Sequence, residues 1–174
     1  MNNFISSFQE FLKPQIISLS ELKVFPDVIY IRKDQRNEGK KFFFFLKDGI
    51  LHLKSFQDGN EISISKNLKN VFFQMFENHL SLFGKEILFE ITILNSDIFS
   101  FEDVFTSFSH PINTARKRFA FLQKLFRETQ INSLFNFNLP FLKSPHEIIE
   151  KEQYKGFDLF PFTSSTPLRV ETTN

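Results

Sequence analysis

The chain predicts an α+β domain, a mainly antiparallel sheet with inserted helices. Three observations carry that expectation. Apolar runs come in pairs around short turns, as at residues 42–46 and 50–56 on either side of Lys47-Asp48-Gly49. Asp-Gly between apolar runs is a strong hairpin signal, because the tight hairpin turn needs residues that tolerate positive φ. Stretches of helical period, at 68–83 and 116–129, interrupt these pairs. Finally, 174 residues with no internal repeat and no linker suit a single domain.

In chain order, residues 1–12 space Phe4, Ile5, Phe8, Phe11 and Leu12 three and four apart, which predicts a short amphipathic helix ended by Pro14. That helix, within residues 1–18, is expected to precede one domain over 19–174. Residues 28–31 are a short apolar run, and 32–41 read as a charged turn containing Gly39. After the 42–56 hairpin, residues 61–65 alternate behind Asp58-Gly59-Asn60 and predict a third strand. Over 68–83, Leu68, Val71, Phe72, Met75, Phe76, His79, Leu80 and Phe83 share one helical face, and Gly84 stops the helix. Two further strands, 86–94 and 98–105, flank Asn95-Ser96-Asp97.

The 116–129 helix is expected to turn Phe119, Leu122 and Phe126 inward and Arg116, Lys117, Arg118, Lys124 and Arg127 outward. Residues 131–142 read as extended. Ser144-Pro145-His146-Glu147 starts a helix, with Ser at the cap, Pro in the first turn and Glu at the third position. Residues 155–162 are the last expected strand, followed by a polar tail.

Composition narrows the function classes. The absence of cysteine excludes a disulfide framework, a thiolate metal site and a cysteine nucleophile. Twenty-one Lys and Arg against twenty Asp and Glu leave a net charge of +1, so a polyanionic partner must be held by a local patch. No apolar run approaches the ~18 residues that span a bilayer. The first residues also lack a basic start followed by an apolar core, so a soluble, intracellular protein is expected. The 27 Phe beside no Trp follow from AT-rich codons and fall at ordinary core positions. His52, His79, His110 and His146 form no i, i+4 pair, and Gly39, Gly49, Gly59 and Gly84 stand singly, so neither a metal site nor a glycine-rich phosphate loop is expected. No cofactor is expected. The segment Arg36-Asn37-Glu38-Gly39-Lys40-Lys41 is the most suggestive, because two adjacent cations where a loop meets a strand can pair with a phosphate.

From residue 19 onward the layout resembles the covalent nucleotidyltransferases, the mRNA capping enzymes and ligases. Their first motif, Lys-x-Asp-Gly-x-Arg, is matched by Arg36 to Lys41, with Arg36 at the nucleophile's place. Arginine stays protonated and cannot attack phosphorus, so a noncatalytic domain is expected. Glu90 stands for the acidic residue of the next motif, and Phe101-Glu102-Asp103-Val104 is similar to the third.

The order and spacing of five short stretches also resemble the snurportin family, whose cap-binding domain shares that fold. They are Leu19-Ser20-Glu21, Gly39-Lys40-Lys41, Asp103-Val104 through His110-Pro111 to Phe119-Ala120-Phe121, Phe135-Asn136-Phe137 with Ser144-Pro145, and Ser165-Thr166-Pro167-Leu168. The resemblance implies an adaptor that binds the trimethylguanosine cap of small nuclear RNA and takes part in import of spliceosomal particles. Importin-β would be a further partner and nucleus and cytoplasm the location, with no membrane association. Lys40 and Lys41 would then hold the cap phosphates, supported by His52 and Lys54. Ser20 and Glu21 would meet the base or ribose, and Thr166, Pro167 and Leu168 would wall the base. Phe157, or Phe160 or Phe162, would replace the family's stacking Trp, where Glu171 stands. The alternatives are a divergent capping or ligase-type nucleotidyltransferase and a degenerate protein-interaction scaffold.

Overall fold

The computed structural model describes residues 13–24, 29–33, 35, 37–77, 86–105, 114–129, 133–144, 157–162 and 166–170. The helix expected over 1–12, the end of the 68–83 helix, the helix expected from Ser144 and the Arg36 side of the first motif lie outside them.

Two sheets organise these residues. In the five-stranded sheet, β1 (Gln15–Ile17) pairs in parallel with β11 (Leu168–Val170). Antiparallel pairing continues through β10 (Phe157–Pro161), β2 (Ile29–Lys33) and β9 (Phe141–Lys143). The six-stranded sheet runs β5 (Glu61–Ile62), β4 (Ile50–Ser55), β3 (Gly39–Lys47), β6 (Glu86–Leu94), β7 (Phe99–Phe105) and β8 (Phe135–Phe137), with only the last pair parallel. Three helices, α1 (Leu19–Lys23), α2 (Lys66–Met75) and α3 (Ala115–Glu128), are inserted between strands.

The β3–β4 turn forms as expected, with Asp48 and Gly49 at φ of 50° and 76°. Ser65 caps α2 by accepting from the Leu68 N–H.

Alternation along the strands sorts the core into layers. Phe44, Phe89 and Phe101 project from one face of the six-stranded sheet onto Phe72 of α2, Phe76 at its C-cap, and Leu122 and Leu125 of α3. The rings meet edge to face, Phe89 on Phe101 at 5.0 Å and 73°, Phe76 on Phe101 at 5.6 Å and 86°. That geometry suits the ring quadrupole. A second cluster gathers Ile17, Leu22, Ile29, Ile31, Leu159 and Leu168 on one face of the five-stranded sheet. Ala115 and Phe119 of α3 pack on Phe160, so this helix touches both sheets.

Three expectations need correction. The sequence pattern puts Arg32 in a charged turn, yet it lies in β2 and is buried, because its guanidinium finds carboxylate and aromatic partners across the sheets. Arg118, expected outward on α3, is buried against Asp103, while Phe126, expected inward, is 38% exposed. The tail past residue 162 contains a strand, β11, whose partners β1 and β10 a local pattern cannot reveal.

At Gly39, β3 runs hard against the β6 backbone. A Cβ there would fall 2.2 Å from the Ile93 carbonyl oxygen and 2.8 Å from Leu94 Cα, both backbone atoms that can yield only if β3 and β6 part. A Gly39→Ala protein is expected to lose about 1–3 kcal/mol, an overpacking cost, measurable as a lower urea midpoint. An unchanged midpoint would mean the strands separate freely at this end.

Candidate functional site

Strand alternation that buries Ile29, Ile31, Leu159 and Leu168 on one side of the five-stranded sheet turns Arg32, Asp158, Phe160 and Arg169 to the other. Likewise Phe44 enters the aromatic core from β3 while Lys41 and Phe43 face the opposite way. A cavity of about 360 Å³ opens between the two sheets. The six-stranded side contributes Gly39, Lys40, Lys41, Phe42, Glu90 and the turn after β4 at Ser55, Phe56 and Gln57. The other side contributes Lys13, Pro14, Arg32, Asp158, Phe160, Pro167 and Arg169. Five cations and two carboxylates therefore line it, a local excess of positive charge in a nearly neutral chain.

The charges are organised around Arg32 and Lys41. The Lys41 ammonium donates to Glu90 Oε1 at 2.6 Å and stands 3.6 Å from Glu102 Oε2. The Arg32 guanidinium carbon stands over Phe160, 4.7 Å from the ring centre, and its Nη2 lies 3.7 Å from Glu90 Oε1 and 3.9 Å from Asp158 Oδ2. It donates from Nη1 to the Glu102 carbonyl at 2.5 Å. Asp158 pairs in addition with Arg169. Burial works against the charge on Lys41, but Glu90 and Glu102 outweigh it and hold the ammonium above the usual lysine range. Burial likewise raises Glu90, yet Lys41 and Arg32 pull its carboxyl below the ordinary value. Arg32 is shifted up against its own burial by Glu102, Glu90, Asp158 and Asp103.

The expected site residues divide. Lys40, Lys41 and Pro167 line the cavity, and of the three candidate rings Phe160 does so. His52 lies outside that lining, its Nδ1 2.5 Å from Glu61 Oε1, a contact that lowers the Glu61 carboxyl. Lys54 is buried beside Phe43 on β4, also outside the lining. Ser20 and Glu21 sit in α1, where the Glu21 carboxylate accepts from the Ser18 N–H at 2.6 Å and completes a capping box. Phe157 and Leu168 belong to the apolar cluster on the far face of the five-stranded sheet, and Thr166 precedes β11 without lining the cavity. Phe162 stacks under Arg116 instead, its ring 4.5 Å from the guanidinium carbon. Sequence reasoning missed Arg32, Asp158 and Arg169. The buried charges in β2 and β10 were a signal, since isolated cations on short apolar strands need buried partners.

Two mainly antiparallel sheets enclosing a basic cleft make this a nucleotidyltransferase-type fold, the fold of RNA ligases. A solved structure described as Pmar-Lig_Pre. matches with a TM-score of 0.62 at 9% identity, over 93% of this chain and 46% of that one. A second, Pmar-Lig_PreS3, matches at 0.58 and 9% identity, over 98% and 50%. The Naegleria gruberi RNA ligase, solved as a mutant with AMP and Mn, matches at 0.55 and 8% identity, over 93% and 56%. The chain thus spans about half the length of each. No protein-family model and no curated protein matches the sequence. The expectation of a noncatalytic domain is corrected by these likenesses: the solved chains that share its architecture include an RNA ligase described with AMP and Mn. The Arg36 position on which that expectation rested lies outside the described residues, and the cavity holds lysines of its own.

Among the described residues no three His, Asp or Glu side chains converge as a metal cradle, and no helix is long and apolar enough to cross a membrane. The cavity carboxylates face Arg32, Lys41 and Arg169 rather than an open position.

Proposed function

We propose that the chain is a nucleotidyltransferase of ligase type, which binds a nucleoside triphosphate between its sheets and transfers the nucleotidyl group to Lys41. The observation that supports this is the Lys41 ammonium on the cavity wall, 2.6 Å from one carboxylate and 3.6 Å from another, in a fold shared with RNA ligases. The net positive lining suits a triphosphate, and Phe42, Phe56, Phe160 and Pro167 offer apolar faces for a base. Lys13 and Lys40 also line the cavity but are solvent-exposed, whereas Lys41 is only 16% exposed and held in one place. Arg32 remains charged at any working pH, so it serves as a phosphate ligand and not as a nucleophile.

In the transfer, the neutral Lys41 amine attacks the α-phosphorus. A P–N bond forms, the bond from the α-phosphorus to the bridging oxygen breaks, and pyrophosphate leaves with that oxygen. One proton must leave the resting ammonium before attack and a second leaves nitrogen as the P–N bond completes. A divalent ion carried by the triphosphate would screen its charge.

Incubation with α-labelled ATP or GTP and Mg²⁺, followed by denaturation, tests the proposal. A covalent adduct that survives alkali, is lost in acid and maps to Lys41 is expected. No adduct with either nucleotide would remove it. Cap analogues belong in the same experiment. If a trimethylguanosine cap raises the melting temperature while triphosphates neither do so nor label the protein, the snurportin-like role with capped RNA and importin-β would take precedence. A ligand at 100 times its dissociation constant adds about 2.7 kcal/mol, well within reach of such a scan.

A further inference from the structure

The two carboxylates that face Lys41 are not equivalent. Glu90 stands in regular register on β6, opposite Phe43, with Lys41 at 2.6 Å and Arg32 at 3.7 Å. It is clamped between two cations. Glu102 comes from a β-bulge. Glu90 pairs with Asp103 and Ile91 with Phe101, which leaves Glu102 as the extra residue on β7. A bulge of this kind redirects a side chain relative to the regular pleat. Its backbone is fixed by Arg32, which senses the Glu102 charge but donates its hydrogen bond to the carbonyl. Glu102 Oε1 accepts from Asn138 Nδ2, which also donates to the Lys33 carbonyl at 2.9 Å. Oε2 is the oxygen that faces Lys41, and among the described residues no donor hydrogen-bonds it, although the side chain is 1% exposed. Glu102 Oε2 thus keeps lone pairs open toward Lys41, whereas Glu90 is engaged by two cations.

Building on the assignment of Lys41 as nucleophile, we propose that Glu102 removes the proton that makes the Lys41 amine neutral, while Glu90 positions the nitrogen. The proton passes from Lys41 Nζ to Glu102 Oε2. The freed lone pair then forms the P–N bond as pyrophosphate departs, and the second proton leaves nitrogen for solvent. Glu90 stays ionised throughout and keeps the amine facing the α-phosphorus.

The experiment follows the rate of adduct formation against pH for the intact wild-type chain, Glu102→Gln and Glu90→Gln, with α-labelled ATP or GTP, whichever labels the wild type. Glu102→Gln is expected to be at least about 100-fold slower at neutral pH, the size of a lost general base. Its deficit narrows as alkali deprotonates Lys41 directly, and the triphosphate-induced melting shift is unchanged. Glu90→Gln, which loses a carboxylate that holds the Lys41 proton, is expected to move the pH profile toward lower pH while staying slower than the wild type even in alkali, because the nitrogen is no longer positioned. Wild-type rates for Glu102→Gln, or a pH-independent deficit, would overturn the assignment. Should Glu102→Gln not fold, Glu102→Asp, which keeps the charge one methylene farther back, must show the same alkaline recovery. A wild type that forms no adduct overturns the Lys41 nucleophile as well; a labelled wild type with an unaffected Glu102→Gln overturns the base alone.

Discussion

A Lys41→Arg protein is expected to lose all nucleotidyl adduct while melting close to the wild type. The guanidinium keeps a positive charge against Glu90 and Glu102, so the buried carboxylates retain a partner. The volume change is small enough to cost less than about 1.5 kcal/mol. What disappears is a nitrogen able to give up a proton and attack phosphorus. Lys41→Ala is a poorer test, because it also strips a cation from two buried carboxylates and lowers stability for that reason alone. Adduct persisting in Lys41→Arg would transfer the role to Lys13 or Lys40. In the wild type, the rate should climb with pH through the neutral and mildly alkaline range. The carboxylates hold the Lys41 ammonium above its usual range, and each rise in pH enlarges the neutral fraction.

Arg118→Ala is expected to cost about 3–5 kcal/mol, since it leaves a buried carboxylate without its partner. Arg118 Nε lies 3.0 Å from Asp103 Oδ1, with both side chains at 1% exposure or less, and the guanidinium stands over the Phe105 ring at 5.1 Å. At about 2–4 °C per kcal/mol for a chain of this size, the melting temperature should fall by roughly 10 °C. The deficit must depend on pH. Burial already raises the Asp103 carboxyl above its usual value, in spite of Arg118 and Arg32, and removing Arg118 raises it further. A carboxyl whose folded pKa exceeds its unfolded one favours the fold below the unfolded value. That contribution is lost as pH rises through the folded value. The Arg118→Ala deficit should therefore be smallest in acid and largest at neutral pH. A deficit below 1 kcal/mol, or one that does not vary with pH, would show that Asp103 finds another partner.

Much of the fold was legible because local physics specified it. The Asp48-Gly49 turn needs two positive φ values, and the residues that supply them also set the β3–β4 register. The helical face of residues 68–76 buries Phe72 and Phe76 as its period requires. Glu102 could be tied to a motif, but nothing local shows that β7 carries a bulge there, because a bulge is a relation between two strands. The basic face of α3 misled in the same way: Arg118 repeats with its neighbours, and only Asp103 on β7 explains its burial.

The sequence by itself determined the class of the domain, the hairpin and helix positions within it, and the two lysines of the β3 strand that reach the cavity. The tertiary structure alone decided which charges meet. Arg32, Glu90, Glu102 and Asp158 come from four strands in two sheets, up to 126 residues apart in the chain. A buried charge is tolerated only where an opposite one comes within a few ångströms. That condition is met by strand pairing and by the packing of one sheet over the other, neither of which a local pattern of residues encodes.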